Sequence, residues 1–102
     1  MTATNTDILN EAKEFFVNAY VEELTDRLNE KAEEGELDTV LDGDFISGDL
    51  LNSVDMNAYN ATVQNYGWRV DRDDLREAVA GPEIYEGIDY TAILDSARAK
   101  TL

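Results

Sequence analysis

Carboxylates at helical spacing are the residues of this sequence that could do chemistry. Glu22, Asp26, Glu30 and Glu33 follow one another at intervals of four, four and three residues. Residues three or four apart lie on the same side of an α-helix, so these side chains form one row with a spacing of ~6 Å along the axis. More acids follow directly: Glu34, Glu36, Asp38, Asp42, Asp44 and Asp49. A surface of this kind attracts basic partners.

The charge of the whole chain favours the same kind of partner. The 102 residues carry 23 acids and 8 bases, a net charge of −15. Residues 1–51 hold 14 acids and 3 bases (net −11), and residues 52–102 hold 9 acids and 5 bases (net −4). Such a protein repels nucleic-acid phosphates and anionic membranes. We therefore expect a basic nucleic-acid-binding protein as partner, with no direct binding to nucleic acid and no membrane association.

Several kinds of chemistry are excluded by composition. The chain contains no Cys and no His, which excludes thiolate or imidazole metal sites, Cys nucleophiles and Ser-His-Asp triads. The acidic turn at 42–44 resembles the start of a calcium loop, but the required positions five, six and twelve are Ile46, Ser47 and Ser53. Glycoside hydrolysis by paired carboxylates needs a cleft that a chain this short rarely builds. We expect no enzymatic activity, no cofactor and no metal.

The sequence predicts an all-α fold, a four-helix domain that spans residues 1–102, with one long N-terminal helix and short loops. A capping box at Thr4 precedes the long helix, and Gly35 stops it. Ser47, Asp71 and Asp89 are expected to cap the later helices. The predicted helices are Asp7 to Glu34, Asp49 to Tyr66 with a break near Asp55, Arg72 to Ala80, and a last helix that follows Asp89 and ends at Lys100.

Apolar and aromatic residues give further expectations about packing and contact. The segment Ile8–Tyr20 is apolar over most of its circumference, which suits a central helix or the seam of a homodimer. Phe45 and Ile46 are expected to form a buried anchor after the turn at 42–44. Tyr85 lies in an irregular stretch and is expected to be exposed, so we include it among the partner-binding residues.

The chain resembles the DNA-mimic inhibitors of phages and mobile elements, the anti-restriction and anti-CRISPR proteins. The resemblance is in size, acidity and helical pattern, and these inhibitors share no diagnostic motif. It implies a binding protein that occupies the basic groove of a restriction or CRISPR effector in the cytoplasm of the host cell. The residues that carry it are Glu22, Asp26, Glu30, Glu33, Glu34, Glu36, Asp38, Asp42, Asp44 and Asp49.

Two other functions remain open from the sequence. An acidic regulatory or adaptor protein would dock a partner through apolar residues and use its charge for solubility. A protein adapted to high salt would also be acidic and poor in Lys, with its acids spread evenly.

The N-terminal sequence lacks the basic and apolar regions of a signal peptide. One acidic row is too sparse to imitate a duplex, so mimicry requires residues 34–49 to fold beside the long helix.

Overall fold

The computed structural model describes residues 5–43 and 45–100, and it confirms the predicted all-α fold. Two 3₁₀ turns and a minimal antiparallel hairpin connect the helices, with Leu41 opposite Ile46 and Asp42 opposite Phe45. The predicted capping box at Thr4 lies outside the described residues. The elements are α1 (Asn5–Glu34), a 3₁₀ turn (Leu37–Val40), β1 (Leu41–Asp42), β2 (Phe45–Ile46), α2 (Gly48–Tyr66), α3 (Arg72–Ala80), a second 3₁₀ turn (Pro82–Tyr85) and α4 (Tyr90–Ala99).

The helices assemble into a rod of 52 × 20 × 19 Å with α1 along its length. Two hydrogen bonds show that α2 runs antiparallel to α1. Tyr66, at the end of α2, donates one to Glu11 (3.3 Å), and Asn57 donates the other to Glu23 (3.0 Å). Helix α3 packs on the first half of α1. Its residue Leu75 joins a core cluster near the start of α1. Helix α4 packs on the second half. The rod is therefore a three-helix bundle whose third helix is divided in two.

The buried side of α1 turns around the helix along its length. Its buried residues recur at every fourth position without exception. Because an α-helix has 3.6 residues per turn, each such step advances about 40°, which amounts to about 200° over 20 residues. The buried side of the first half therefore faces α3, and that of the second half faces α4. Because of this rotation, apolar residues occur on many sides of α1. The row is Ala12, Phe16, Tyr20, Leu24, Leu28 and Ala32.

Helix α2 is continuous, so the break predicted near Asp55 is wrong. Its buried row begins at Leu50, whereas the next residue, Leu51, is half-buried. Thr62 is fully buried in this row, and its hydroxyl donates a hydrogen bond of 2.8 Å to the carbonyl of Ala58. That bond offsets the cost of burying a polar atom. The buried row is Leu50, Val54, Ala58, Thr62 and Tyr66.

Glycine ends α1 at the predicted position. Gly35 has φ of +73°, a conformation that side chains other than glycine adopt at a cost. Its amide donates to the carbonyl of Ala32 (3.1 Å), and the amide of Glu36 donates to that of Lys31 (2.8 Å). This pair of bonds is a Schellman motif, which satisfies carbonyls that the helix end would leave without partners.

Side-chain caps begin the other three helices as the sequence predicts. In each case the capping oxygen accepts a bond from a backbone amide of the first turn. Ser47 accepts from Leu50 at 3.3 Å, Asp71 from Asp73 at 2.8 Å and Asp89 from Ala92 at 2.9 Å.

The prediction that Phe45 is a buried anchor is wrong. Its side chain is 78% exposed, whereas Ile46 is half-buried. Successive residues of a strand point to opposite sides, so only one of the two can face the core. In β2 that residue is Ile46, which packs against the main core cluster.

Candidate functional site: an acidic surface

The four predicted carboxylates of α1 lie on its solvent side. Glu22, Asp26, Glu30 and Glu33 are all exposed, and we call them the acidic row. At about 100° per residue they cover about 80° of the circumference and extend about 17 Å along the axis. Leu28, which lies within the same stretch, is 0% exposed and lies on the opposite side of the helix. The fold therefore presents the row to solvent as one continuous face.

Five further predicted acids lie where α1 ends and α2 begins. They are all exposed, and we call Glu34, Glu36, Asp38, Asp42 and Asp49 the acidic end. Asp44 lies outside the described residues. The pairing of Glu23 with Asn57 fixes the relative position of α1 and α2. Eight residues toward the start of α2, Asp49 is level with the last turn of α1. The acidic end thus lies at the same end of the rod as the last residues of the acidic row.

Lysine partly neutralises this acidic end. The ammonium of Lys31 lies 3.6 Å from a carboxylate oxygen of Glu34 and 3.5 Å from one of Glu36. All three side chains are at least one-third exposed, so water screens both pairs and each contributes little stability. The negative potential of the acidic end is therefore reduced at Glu34 and Glu36.

The acidic row has no partners among the residues that the structure describes. Among residues 5–43 and 45–100, no basic side chain lies within 4 Å of its carboxylates and no donor bonds to them. Successive carboxylates at i, i+4 repel one another. Glu33 and Glu34 also lie in the last turn of α1, where the helix dipole is negative and disfavours further negative charge. The placement of these acids therefore costs stability.

Acids of the second half of the chain are placed differently. Asp71 and Asp89 cap helices, and Asp55 accepts a hydrogen bond from the hydroxyl of Tyr85. Asp73 and Asp74 lie in the first turn of α3, where the dipole stabilises negative charge. These five acids stabilise the fold, whereas the acidic row does not. In the first half, Glu11 and Glu23 also accept hydrogen bonds, so the acidic row differs from stabilising acids in both halves.

The charge density can be compared with that of DNA. A duplex 52 Å long carries about 30 phosphates at one per ~1.7 Å of axis. The chain has a net charge of −15 over the same length, about half that value. Within the acidic row the spacing is about 5.5 Å, against ~3.4 Å for one DNA strand. The surface thus approaches one strand more closely than a whole duplex.

Replacing Asp26 by Lys is expected to stabilise the protein. The change converts the repulsive pairs with Glu22 and Glu30 into attractive ones, and each conversion contributes roughly 0.5 kcal/mol. We expect the free energy of unfolding, measured by urea denaturation, to rise by about 1 kcal/mol. Asp26→Asn is the matched control, because it removes repulsion without adding attraction and should give about half the gain. A loss of stability in Asp26→Lys would show that Asp26 has a stabilising role.

No family model, curated protein or solved structure matches the chain. The site must therefore be interpreted from its own geometry.

No helix among the described residues is long and apolar enough to cross a membrane. Within the same residues, no three acids converge closely enough to hold a metal ion.

The expectation that Tyr85 is exposed is wrong. Its ring makes edge contacts with Phe16 and Tyr20 at centroid distances of 6.3 and 5.4 Å, and its hydroxyl donates to Asp55. It is half-buried in the core between α1 and α2. Sequence reasoning took the irregular stretch as a surface loop, but its 3₁₀ turn directs Tyr85 inward. The residue is structural and does not belong to the acidic surface.

Burial raises the pKa of several phenols. The pKa of Tyr85 is raised first by burial and then by its hydrogen bond to the Asp55 carboxylate. The pKa of Tyr20 is raised by burial and by its bond of 3.2 Å with Tyr90. The pKa of Tyr66 is raised by burial and by the nearby Glu11 carboxylate. All three phenols are held neutral in the folded state.

Alkaline pH is therefore expected to unfold the protein. A phenol whose folded pKa exceeds its unfolded value of 10.0 stabilises the fold below pH 10, and that contribution is lost as the pH rises toward the folded pKa. We expect tyrosinate absorbance to lag behind that of free tyrosine and then to rise together with loss of the far-ultraviolet circular dichroism signal. Tyr85→Phe should remove one late-ionising phenol. Ionisation of all five tyrosines near pH 10 with intact helices would contradict this expectation.

A cleft between α2 and α3 does not form a catalytic dyad. It has a volume of about 430 Å³ and is lined by Asp55, Tyr59, Arg76 and Tyr85, among other residues. Asp55 is its only lining carboxylate in the described chain, and it is bonded to Tyr85. The absence of enzymatic activity stays a prediction.

Three large apolar side chains are exposed and could contact a partner protein. Trp68 is 79% exposed, Phe45 78% and Met56 64%. The guanidinium of Arg69 lies 5.5 Å from the ring centre of Tyr66 and 5.8 Å from that of Trp68, within cation–π range. The signal for Phe45 was available, since alternation in a strand allows only one of two successive residues to be buried.

The apolar surface of Ile8–Tyr20 is used within the chain. Ala12, Phe16 and Tyr20 are at most 3% exposed, and the half-buried apolar residues beside them pack on the same core. Intramolecular packing thus accounts for the pattern that suggested a dimer seam. A homodimer through this segment stays a prediction that the fold does not require.

Proposed function

We propose that this protein is an inhibitor that binds the basic nucleic-acid groove of a host defence protein, such as a restriction or CRISPR effector, as a DNA mimic. The acidic row and the acidic end form the contact surface. The inhibitor acts in the cytoplasm, by occupancy and without catalysis. A homodimer is not needed for this function.

One observation carries the proposal: the acidic row is exposed and has no partner among the described residues. Charge that helps folding is placed at caps, at helix N-termini or in ion pairs, as in the second half of this chain. The acidic row has the opposite placement, and its repulsion is offset when a basic surface binds. A cost to the free protein that is recovered in a complex supports a binding role.

The charge density favours a partner whose binding site accommodates one DNA strand or a short stretch of DNA backbone. A site built to bind phosphates offers Lys and Arg at intervals that match the DNA backbone. With carboxylates about 5.5 Å apart, the acidic row would meet about two of every three such positions along one strand. The acidic end would extend the contact across the end of the rod.

Exposed Phe45 favours a second candidate function. A regulatory or adaptor protein would dock through such apolar side chains, with the acids serving solubility. This candidate predicts that binding is insensitive to salt, because apolar burial does not depend on screening. The DNA-mimic function predicts the opposite.

Affinity capture with a salt series tests the proposal. The full chain is immobilised and exposed to host lysate at low salt, and the captured protein is purified and its affinity is measured at increasing salt. We expect a nucleic-acid-binding protein whose affinity falls at least roughly tenfold between 50 and 200 mM salt. A captured protein without a nucleic-acid site, or an affinity unchanged by salt, would contradict the proposal.

A further inference from the structure

An apolar groove lies beside the acidic end. It has a volume of about 370 Å³ and opens between the hairpin, the start of α2 and the start of α4. Among the described residues no charged side chain lines it, and Phe45 forms a wall that is 78% exposed. Phe45, Ile46, Leu51, Tyr90, Thr91 and Leu94 line it, and we call this set the apolar groove.

Exposed acids adjoin the residues that line the apolar groove. Asp42 lies directly opposite Phe45 in the hairpin. Asp95 follows the lining residue Thr91 by four residues and so lies beside it on α4; both carboxylates are exposed. Arg98, one turn further along α4, lines a different crevice with Gly35 and Asp38. The apolar groove thus has an uncharged floor and negatively charged surroundings.

This combination selects among the possible occupants. A second copy of the chain would bring another charge of −15 against the same surroundings, and the repulsion opposes such a contact. A neutral apolar segment would gain nothing from the acids. A segment that carries both an apolar side chain and basic neighbours gains from both parts of the site.

We propose that the apolar groove binds one large apolar side chain, aromatic or branched aliphatic, which the partner presents between lysines or arginines. The apolar side chain fills the groove while its basic neighbours lie against Asp42 and Asp95. This proposal rests on the proposed function, because the occupant belongs to the same basic partner.

The groove supplies a selectivity that the acidic surface lacks. Carboxylates in a row attract any basic surface, so they accelerate association without distinguishing partners. A buried apolar anchor near a charged surface is a typical hot spot of a specific interface. Burying one such side chain raises affinity roughly tenfold to a hundredfold. The chain would therefore prefer a basic partner with an apolar side chain at this position.

Two synthetic peptides test the proposal on the isotope-labelled full chain by NMR titration at low salt. One carries a central tryptophan between pairs of lysines, and the other has alanine in place of tryptophan. We expect the tryptophan peptide to bind about tenfold more tightly and to shift the amide signals of Phe45, Leu51 and Thr91. The alanine peptide should shift only signals of the acidic row and the acidic end.

Variants locate the effect in the groove. Phe45→Thr removes an exposed wall without emptying the core, and Thr91→Lys puts into the uncharged lining a charge that a bound tryptophan would have to desolvate. Each should abolish the tenfold preference for tryptophan, whereas Trp68→Ala, equally exposed but outside the groove, should retain it.

The outcomes separate the two proposals. Equal affinities for the two peptides, or a tryptophan peptide that shifts signals away from the groove, would overturn the groove proposal and leave the acidic surface intact. Failure of both peptides to bind at low salt would instead contradict the proposed function.

Discussion

Replacing Glu22, Asp26, Glu30 and Glu33 together by lysine is expected to abolish binding to the basic partner. The variant presents four positive charges where the partner's groove is also positive, and juxtaposed like charges cost several kcal/mol. We expect the affinity to fall at least roughly a thousandfold at low salt. Binding to the purified partner, measured by calorimetry or surface plasmon resonance, checks this result. Circular dichroism should show unchanged helical content, since all four side chains are exposed.

A second quadruple variant controls for net charge. Glu14, Glu77, Glu83 and Glu86 are also exposed, and their replacement by lysine changes the net charge from −15 to −7, the same change as in the acidic row. We expect this control to lose far less affinity, because its charges lie outside the acidic row and the acidic end. Equal losses in the two variants would show that binding responds to total charge and not to the row.

Leu24→Ala is expected to produce the largest loss of stability. Leu24 is 0% exposed and lies in the middle of the buried row, at the point where the core passes from one side of α1 to the other. Truncation of such a leucine removes apolar burial and leaves a cavity, which costs about 2–5 kcal/mol. Urea denaturation monitored by circular dichroism measures the change.

Met56→Ala is the matched control for Leu24→Ala. It also truncates a long apolar side chain on a helix, but Met56 is 64% exposed. Its effect should lie within about 0.5 kcal/mol of zero. A loss below 1 kcal/mol in Leu24→Ala would contradict the description of α1 as the central helix of the core.

Local signals made the helices predictable. The caps at Ser47, Asp71 and Asp89 and the stop at Gly35 depend on a residue's own conformation and on amides within one turn. None of these features requires knowledge of distant packing. The exposure of the acidic row was predictable for a similar reason, because burying unpaired carboxylates is prohibitively costly.

Features that depend on distant packing were not predictable in the same way. Tyr85 faces inward because Asp55 and Tyr20, far away in sequence, lie beside it. The apolar groove joins the hairpin to Leu51 and to α4, three segments that no local pattern connects. Mimicry by more than one acidic row requires residues 34–49 beside α1, and only tertiary contacts place them: the first 3₁₀ turn packs against α1, and its Leu37 is buried in the core. Charge position in three dimensions depends on these contacts.

Competition with DNA tests the DNA-mimic function most directly. The purified partner is mixed with labelled duplex DNA and with increasing amounts of this protein, and the species are separated by native electrophoresis or analytical ultracentrifugation. We expect mutual exclusion, in which DNA is released as the protein binds and no complex contains both. A ternary complex of partner, DNA and this protein at saturating concentrations would contradict occupation of the nucleic-acid groove.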